Sequence, residues 1–554
     1  MTRFARLLMA LSLCSAQAAC AAEGHRAAPT DPYWQNATVY FLLTDRFANG
    51  NTKNDHAYGR GDDAAPLRGF AGGDLQGVID KLDDGYFDKL GVDAIWTSPV
   101  FEQIHGSTDE GTGRTYAYHG YWIKDWTAID ANLGSEQDFA RFVATAHRHG
   151  IRVLMDVVLN HTGPVTDRDP QWPDAWVRTQ PVCDWSGYAG AVDCTLVKNL
   201  PDIRTDSDKP VALPPQLLAK WKREGRLQQE QAELDAFFAR TGYPRAPKYY
   251  LIKWLTDPVR EYGVDGFRVD TTKHVEPEVW AALKKESGLA LADWKARNPN
   301  RKLDDRDFFM VGEVYGFGAN DFGATKGRDY DYGDRKVDFF NYGFDSLINF
   351  AFPQQAREEM EPLFASYSQD LHGGALDGVG LLNYLASHDD GGSYDRARKH
   401  TYTAALKLML APGAAQIYYG DELARPLTAK AEGDAQLRSS MNWGDLKSDK
   451  TRALLAHWQK LGQFRHAHPA VGAGVHKKLA DKPYTFSRVL GDRDRVLVSI
   501  GLPAGDKAVP VYGLFADGTR LKDYYSGREV TVSQGRVSLD TPFALVLLGQ
   551  PLPG

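Results

Sequence analysis

Eight short β-rich runs separated by helical patterns recur between residues 38 and 422 of this 554-residue chain. In order they are TVYFLLTDRF (38–47), VDAIWTSPVF (92–101), IRVLMDVVLNH (151–161), GFRVD (266–270), FFMVGEVY (308–315), YGFDSLINF (342–350), VGLLNYLASHD (379–389) and AAQIYYGDE (414–422). Helical segments such as 135–150 and 394–410 lie between them. Parallel strands need a crossover of helix size, so this alternation restricts the chain to β-α units rather than a sandwich. Eight units is the count of an α/β TIM (β/α)8 barrel, whose active site lies at the C-terminal ends of its strands.

Two interruptions and a tail depart from the repeat. Residues 163–203, after the third strand, are rich in Pro, Asp and Gly and read as a small excursion domain. Residues from about 210 to 250 are charged and helical, an insertion before the third barrel helix. From residue 466 to 554 alternation and turns take over, which predicts a C-terminal antiparallel β-domain of sandwich type. The barrel itself is expected from 32–162 and 204–465.

Residues 1–22 combine Arg3 and Arg6 with a short apolar run and small residues, the pattern of an export signal peptide. The chain is therefore expected in the periplasm or secreted, with no transmembrane segment. Cys20 after Ala18-Ala19 offers a lipid-anchored alternative that Gln17 suits poorly. In an oxidising compartment Cys183 and Cys194, which flank a short loop, predict a disulfide. Charges of both signs are interspersed, 65 basic and 72 acidic, so nucleic acid is not an expected partner. Nothing points to an oligomer, and a monomer is expected.

Strand side chains alternate, so in GFRVD the pair Arg268 and Asp270 shares one face, at the mouth of the barrel. A guanidinium beside a carboxylate lowers its pKa and suits a nucleophile, although a structural ion pair explains the same two residues. The next strand ends in Glu313 and the seventh in His388 and Asp389. Like charges at one mouth cannot all stay ionised cheaply, so one carboxyl should hold a proton near neutral pH. An acid beside a nucleophile is the equipment of a retaining glycoside hydrolase.

The segments DVVLNH (156–161), GFRVDTTKH (266–274), GEVY (312–315) and LASHDD (385–390), in this order, resemble the four signature regions of the α-amylase family of glycoside hydrolases. LPDI (200–203) resembles a further signature of that family's excursion domain, and the likeness covers nearly the whole mature chain. The helical insertion and the leader are most similar to periplasmic members acting on maltodextrins.

The resemblance implies Asp270 as nucleophile, Glu313 as general acid/base and Asp389 as a third carboxylate that stabilises the transition state. It implies that Arg268 keeps Asp270 ionised and that His161 and His388 hydrogen-bond the sugar. Tyr121 would stack on that sugar, with His119 and Trp122 nearby. Lys273 would reach the sugar on the leaving side, and Asp434 with Arg438 would grip the next one. The implied reaction cleaves α-1,4-glucosidic bonds of starch, maltodextrins or maltooligosaccharides; a 4-α-glucanotransferase or cyclodextrin-acting relative is the alternative. A non-catalytic binding protein on the same barrel is disfavoured, because all three carboxylates are present.

Calcium enters in the same way. The loop 45–55 crowds oxygen-bearing side chains, which reads as an Asx-rich turn or a hard-cation site. The resemblance implies Asn49, Asn51, Asn54, Asp55, Gly72 and Asp74 as ligands, with Asn49 where the family's cyclodextrin-forming members carry Asp. It implies a second structural Ca²⁺ on Asn160, Asp202 and the carbonyl of His274.

Overall fold

The computed structural model describes residues 30–551 apart from residues 110 and 512. The leader, with Cys14 and Cys20, lies outside the described residues. Eight parallel strands close into a barrel: β1 (Thr38–Leu42), β2 (Ala94–Thr97), β3 (Arg152–Val157), β4 (Gly266–Val269), β5 (Phe309–Gly312), β6 (Ser346–Asn349), β7 (Gly380–Tyr384) and β8 (Ala414–Tyr418), each paired with its sequence neighbours and β8 with β1. All eight are buried along their whole length, which is why they read as unbroken apolar runs rather than alternations. The strands stop short of the apolar runs in the sequence. At their C-terminal ends the chain leaves the sheet, and that is where the polar residues stand.

Helices close the outside. Glu136–Arg148 begins with a capping box between Ser135 and Asp138, which satisfies its first amides. The expected helix over 394–410 starts only at Thr401. The Asp395 carboxylate accepts from the Lys399 and His400 amides at 2.8 and 2.6 Å, holding the preceding residues in a turn. The insertion forms two helices, Pro215–Arg223 and Leu227–Thr241, ahead of the barrel helix Pro247–Tyr262. The segment after β3 is a small excursion with one two-stranded pairing, and Cys183 and Cys194 are joined in a disulfide.

The C-terminal part is an antiparallel β-domain, a six-stranded sheet facing a two-stranded one (Gly505–Pro510 with Arg536–Thr541). Its own apolar cluster includes Leu497, Val509, Leu539 and Leu548. Among the described residues no helix is long and apolar enough to cross a membrane.

Candidate active site

Parallel register fixes the centre of the site. In β4, Arg268 lies level with Asp156 of β3 and with Val311 of β5, and Val269 lies level with Gly312. Asp270 and Glu313 are each the next residue, so they leave adjacent strands at the same height. The Arg268 guanidinium, fully buried, spans them: Nη1 donates to Asp270 Oδ1 at 2.6 Å and Nη2 lies 3.1 Å from Glu313 Oε1. Nη1 also donates to Asp156 Oδ1 at 3.1 Å. The second Glu313 oxygen accepts from the Thr271 amide at 2.9 Å.

One cation is thus divided among three carboxylates. Burial raises Glu313 to about 7, with Arg268 pulling it down and the charges of Asp270 and Asp389 pushing it up. Burial also raises Asp270, to about 6, against the opposing pull of Arg268. Arg268 does lower Asp270, as expected from the sequence, but desolvation outweighs one shared guanidinium and the net shift is upward. Both carboxyls are pushed upward, so the mouth can hold a proton near neutral pH.

Asp389, exposed at the rim, is different. The mouth's desolvation acts on it too, but His388 Nε2 at 2.9 Å and Arg438 Nη2 at 2.5 Å hold it well below the carboxylate range. Arg438 also pairs with Asp434 at 2.5 Å and donates from Nε to the His388 carbonyl at 3.0 Å. Asp434 and Arg438 therefore brace the third carboxylate.

The aromatic and histidine residues separate into two groups. Tyr121 stacks on the His388 ring (5.3 Å between centroids) and donates its hydroxyl to Asp156 at 2.9 Å, so both stand at the carboxylates. His161 Nε2 pairs with the Tyr121 carbonyl at 3.1 Å, and burial lowers its pKa to about 4. His119 Nδ1 accepts from the Tyr121 amide at 3.1 Å. These two imidazoles hold the Tyr121 backbone. Trp122 is buried in a satellite cluster with Ile104, Ala117 and Leu200, where its ring packs.

Three residues that sequence reasoning missed belong here. Asp156 opens the quoted DVVLNH segment and accepts from Trp96, Tyr121 and Arg268. Trp185, 55% exposed, and Tyr315, 59% exposed, are large aromatics left in solvent on either side of Lys273. Lys273 donates to the Tyr315 carbonyl at 3.0 Å and to the Tyr330 hydroxyl at 2.8 Å, and burial lowers its pKa to about 8. Aromatic exposure beside a mouth was the missing signal, and it exists only in three dimensions.

In the first expected calcium loop, the Asn49 amide donates to both Asp55 oxygens at 3.0 and 3.1 Å. A Cβ on Gly72, whose φ is +92°, would come within 2.5 Å of that amide nitrogen, so only glycine fits the cradle. Asn54 Oδ1 is buried without a hydrogen-bond partner, as an oxygen waiting for a cation would be. Asp74 is engaged elsewhere, accepting from the Gly50, Asn51 and Gly77 amides as the cap of helix Leu75–Asp83; Asn51 uses its side-chain oxygen on the Lys53 amide.

At the second expected site Asp202 Oδ2 is buried without a hydrogen-bond partner, as are both oxygens of Glu276, two residues beyond His274. Arg178 Nε lies 2.9 Å from that Asp202 oxygen as an ion pair without hydrogen-bond alignment. Asn160 stands alongside, its carbonyl accepting from the Ile203 amide at 2.8 Å. Orphaned carboxylate oxygens fit a hard cation.

Residues 41–468 match the family model described as the α-amylase catalytic domain. The chain belongs to the α-amylase family. It is 40% identical to the periplasmic α-amylase of Escherichia coli over 86% of this chain and 73% of that protein. It is 25% identical to a cyclomaltodextrin glucanotransferase of Thermoanaerobacterium thermosulfurigenes, over 92% of this chain and 66% of that one. An α-amylase structure from Anoxybacillus superposes with a TM-score of 0.64 at 25% identity, covering 94% of this chain and 99% of that one. An α-amylase structure from Geobacillus thermoleovorans (TM-score 0.62, 22% identity, 93% and 98% covered) supports the fold alone. As an α-amylase-type glycoside hydrolase, the chain acts on α-1,4-glucans, and members of the family commonly bind structural calcium.

Proposed function

We propose that Asp270 is the nucleophile and Glu313 the general acid/base of a retaining hydrolysis of maltodextrins and maltooligosaccharides. The observation that carries this reading is Arg268 of β4, whose one guanidinium reaches both carboxylates, Nη1 to Asp270 at 2.6 Å and Nη2 to Glu313 at 3.1 Å. A gap that a single guanidinium spans suits the roughly 5–5.5 Å of a retaining pair. Glu313, protonated up to about pH 7, gives its proton to the glycosidic oxygen while ionised Asp270 attacks the anomeric carbon. Cleavage leaves a β-linked glycosyl ester on Asp270 and Glu313 as a carboxylate. Glu313 then takes a proton from water, whose oxygen attacks the anomeric carbon, restoring both residues and the α-configuration.

Asp389, kept charged by His388 and Arg438, faces the cationic sugar ring of the transition state. Tyr121 and His388 form the platform beneath it, while Lys273, Trp185 and Tyr315 receive the leaving sugars. Asn49, Asn54, Asp55 and Gly72 would hold one Ca²⁺, and Asn160, Asp202, the His274 carbonyl and Glu276 a second. Their chemistry is structural: a hard cation ties the loop after β1, or the excursion, to the barrel. We place the mature chain in the periplasm or outside the cell as a monomer, in keeping with its leader and its relatives.

Incubation with maltoheptaose, followed by product sizing and proton NMR of the first-released anomer, tests the reading. Short products carrying the α-anomer are expected. A β-anomer overturns the retaining pair, and products longer than the substrate overturn hydrolysis in favour of transfer.

A further inference from the structure

Between β5 and β6 the chain folds a small antiparallel sheet of Thr325–Lys326, Asp329–Asp331 and Lys336–Val337, which no step of the reaction above uses. Tyr330 is the middle residue of its central strand, level with Thr325 on one side and Val337 on the other. Pairing on both sides fixes the backbone from which that side chain projects. The Tyr330 hydroxyl accepts from Lys273 Nζ at 2.8 Å, and the Tyr332 hydroxyl donates to the Lys273 carbonyl at 2.7 Å. The sheet therefore grips Lys273 by its side chain and by its backbone.

The tip of the sheet is pinned in turn to the excursion. Asp334 accepts from the Tyr188 amide at 2.8 Å, the Arg335 guanidinium lies 4.1 Å over the Tyr188 ring, and Tyr332 meets that ring edge-on at 5.1 Å. A Cβ on Gly187 would come within 2.5 Å of the Asp334 carboxylate, so the two loops touch closely. Tyr188 stands inside the Cys183–Cys194 disulfide loop, three residues after Trp185. The sheet thus ties Lys273 to the loop that carries Trp185.

The partners of Lys273 show what the grip is for. An ammonium has three donors, and this buried one spends two of them, on the Tyr330 hydroxyl and on the Tyr315 carbonyl at 3.0 Å. Both acceptors are neutral, and among the described residues no carboxylate pairs with Lys273. A lysine buried for stability alone would be paired with an acid. Two fixed acceptors stop the ammonium from turning about its Cε–Nζ bond, so the direction of the third N–H is fixed as well.

We propose that Tyr330 is a positioning residue for the leaving side, which holds the Lys273 ammonium so that its remaining N–H meets a hydroxyl of the leaving sugar. The proposal rests on the function proposed above. Without the Tyr330 hydroxyl the ammonium turns freely, and the bond to the leaving sugar has to order it first.

Tyr330→Phe keeps the ring and removes only the hydroxyl. In that variant kcat/KM on maltoheptaose, whose leaving group is a glucan, should fall about tenfold. On α-maltotriosyl fluoride, whose leaving group is a fluoride ion with no sugar attached, kcat/KM should stay within about twofold of the parent. Equal losses on both substrates, as a merely structural role would give, or no loss on either, overturn the proposal. Lys273→Met tests the route. Adding Tyr330→Phe to it should cost no more than about twofold further on maltoheptaose, and a second loss of about tenfold would overturn the claim that Tyr330 acts through Lys273. Failure of the hydrolase reading would appear separately, as no turnover of either substrate by the unaltered chain.

Discussion

The carboxylates at the ends of β4 and β5 and the one after β7 open on the same mouth, yet they sit at opposite ends of the protonation scale. Asp270 and Glu313 share one guanidinium with Asp156, three acids to one cation, inside a barrel that excludes water. Asp389, half-exposed at the rim, has the His388 imidazole beside it and shares Arg438 with Asp434 alone. Residue type is nearly constant across the comparison. What changes is how far each carboxylate is withdrawn from water and how many acids divide its arginine, and together these separate a group able to hold a proton at neutral pH from one that stays charged.

The strongest break is to remove the groups whose protons move. Glu313→Gln should lower kcat on maltoheptaose by about 10²- to 10⁴-fold, and Asp270→Asn by at least as much, with melting temperatures within a few degrees of the parent. Near-normal turnover in either variant would undo the assignment.

Removing the cations separates the two regions by stability. Arg268→Met leaves Asp156, Asp270 and Glu313 buried without a counter-charge and should cost about 3–5 kcal/mol in urea unfolding. Arg438→Gln, at a half-exposed partner, should cost about 0–1 kcal/mol and act mainly on KM and kcat. Equal losses would mean that the rim pair is as desolvated as the interior one.

The pH dependence sharpens the comparison. Activity needs Asp270 ionised and Glu313 protonated, so kcat/KM should rise through about pH 6 and fall through about pH 7. For stability the signs oppose. Glu313 is raised in the folded state, so its contribution is complete below its unfolded pKa and is lost as pH climbs to about 7. Asp389 is depressed, so its contribution is present above its unfolded pKa and is lost only in acid. Glu313→Gln should flatten the fall in melting temperature between about pH 4.5 and 7.

The smallest effect expected is from chelation. EDTA should lower the melting temperature by a few degrees in proportion to calcium occupancy, and Asn54→Ala should reduce that shift. No shift in the parent protein would count against both ions.

Much of this was legible in the sequence because it is local. Eight apolar runs spaced by helices admit a parallel barrel and little else, and Arg268-Val269-Asp270 places two polar groups on one face by alternation alone. Local pattern also marked the disulfide, and it overextended the helix at 394–400, where the Asp395 carboxylate captures backbone amides that helical periodicity would have assigned to the helix. Trp122, which the resemblance put near the sugar, packs its ring edge-on against His119 and in the cluster of Ile104, Ala117 and Leu200.

What the sequence determined by itself is the barrel, the order of its strands and the carboxylates that end them, since each follows from spacing along the chain. Tertiary structure alone decided which carboxylates share a cation, because Arg268 meets Asp156 from 112 residues away and Asp389 meets Arg438 from 49. Burial and pairing set those properties, and both depend on partners that only the closed barrel brings together.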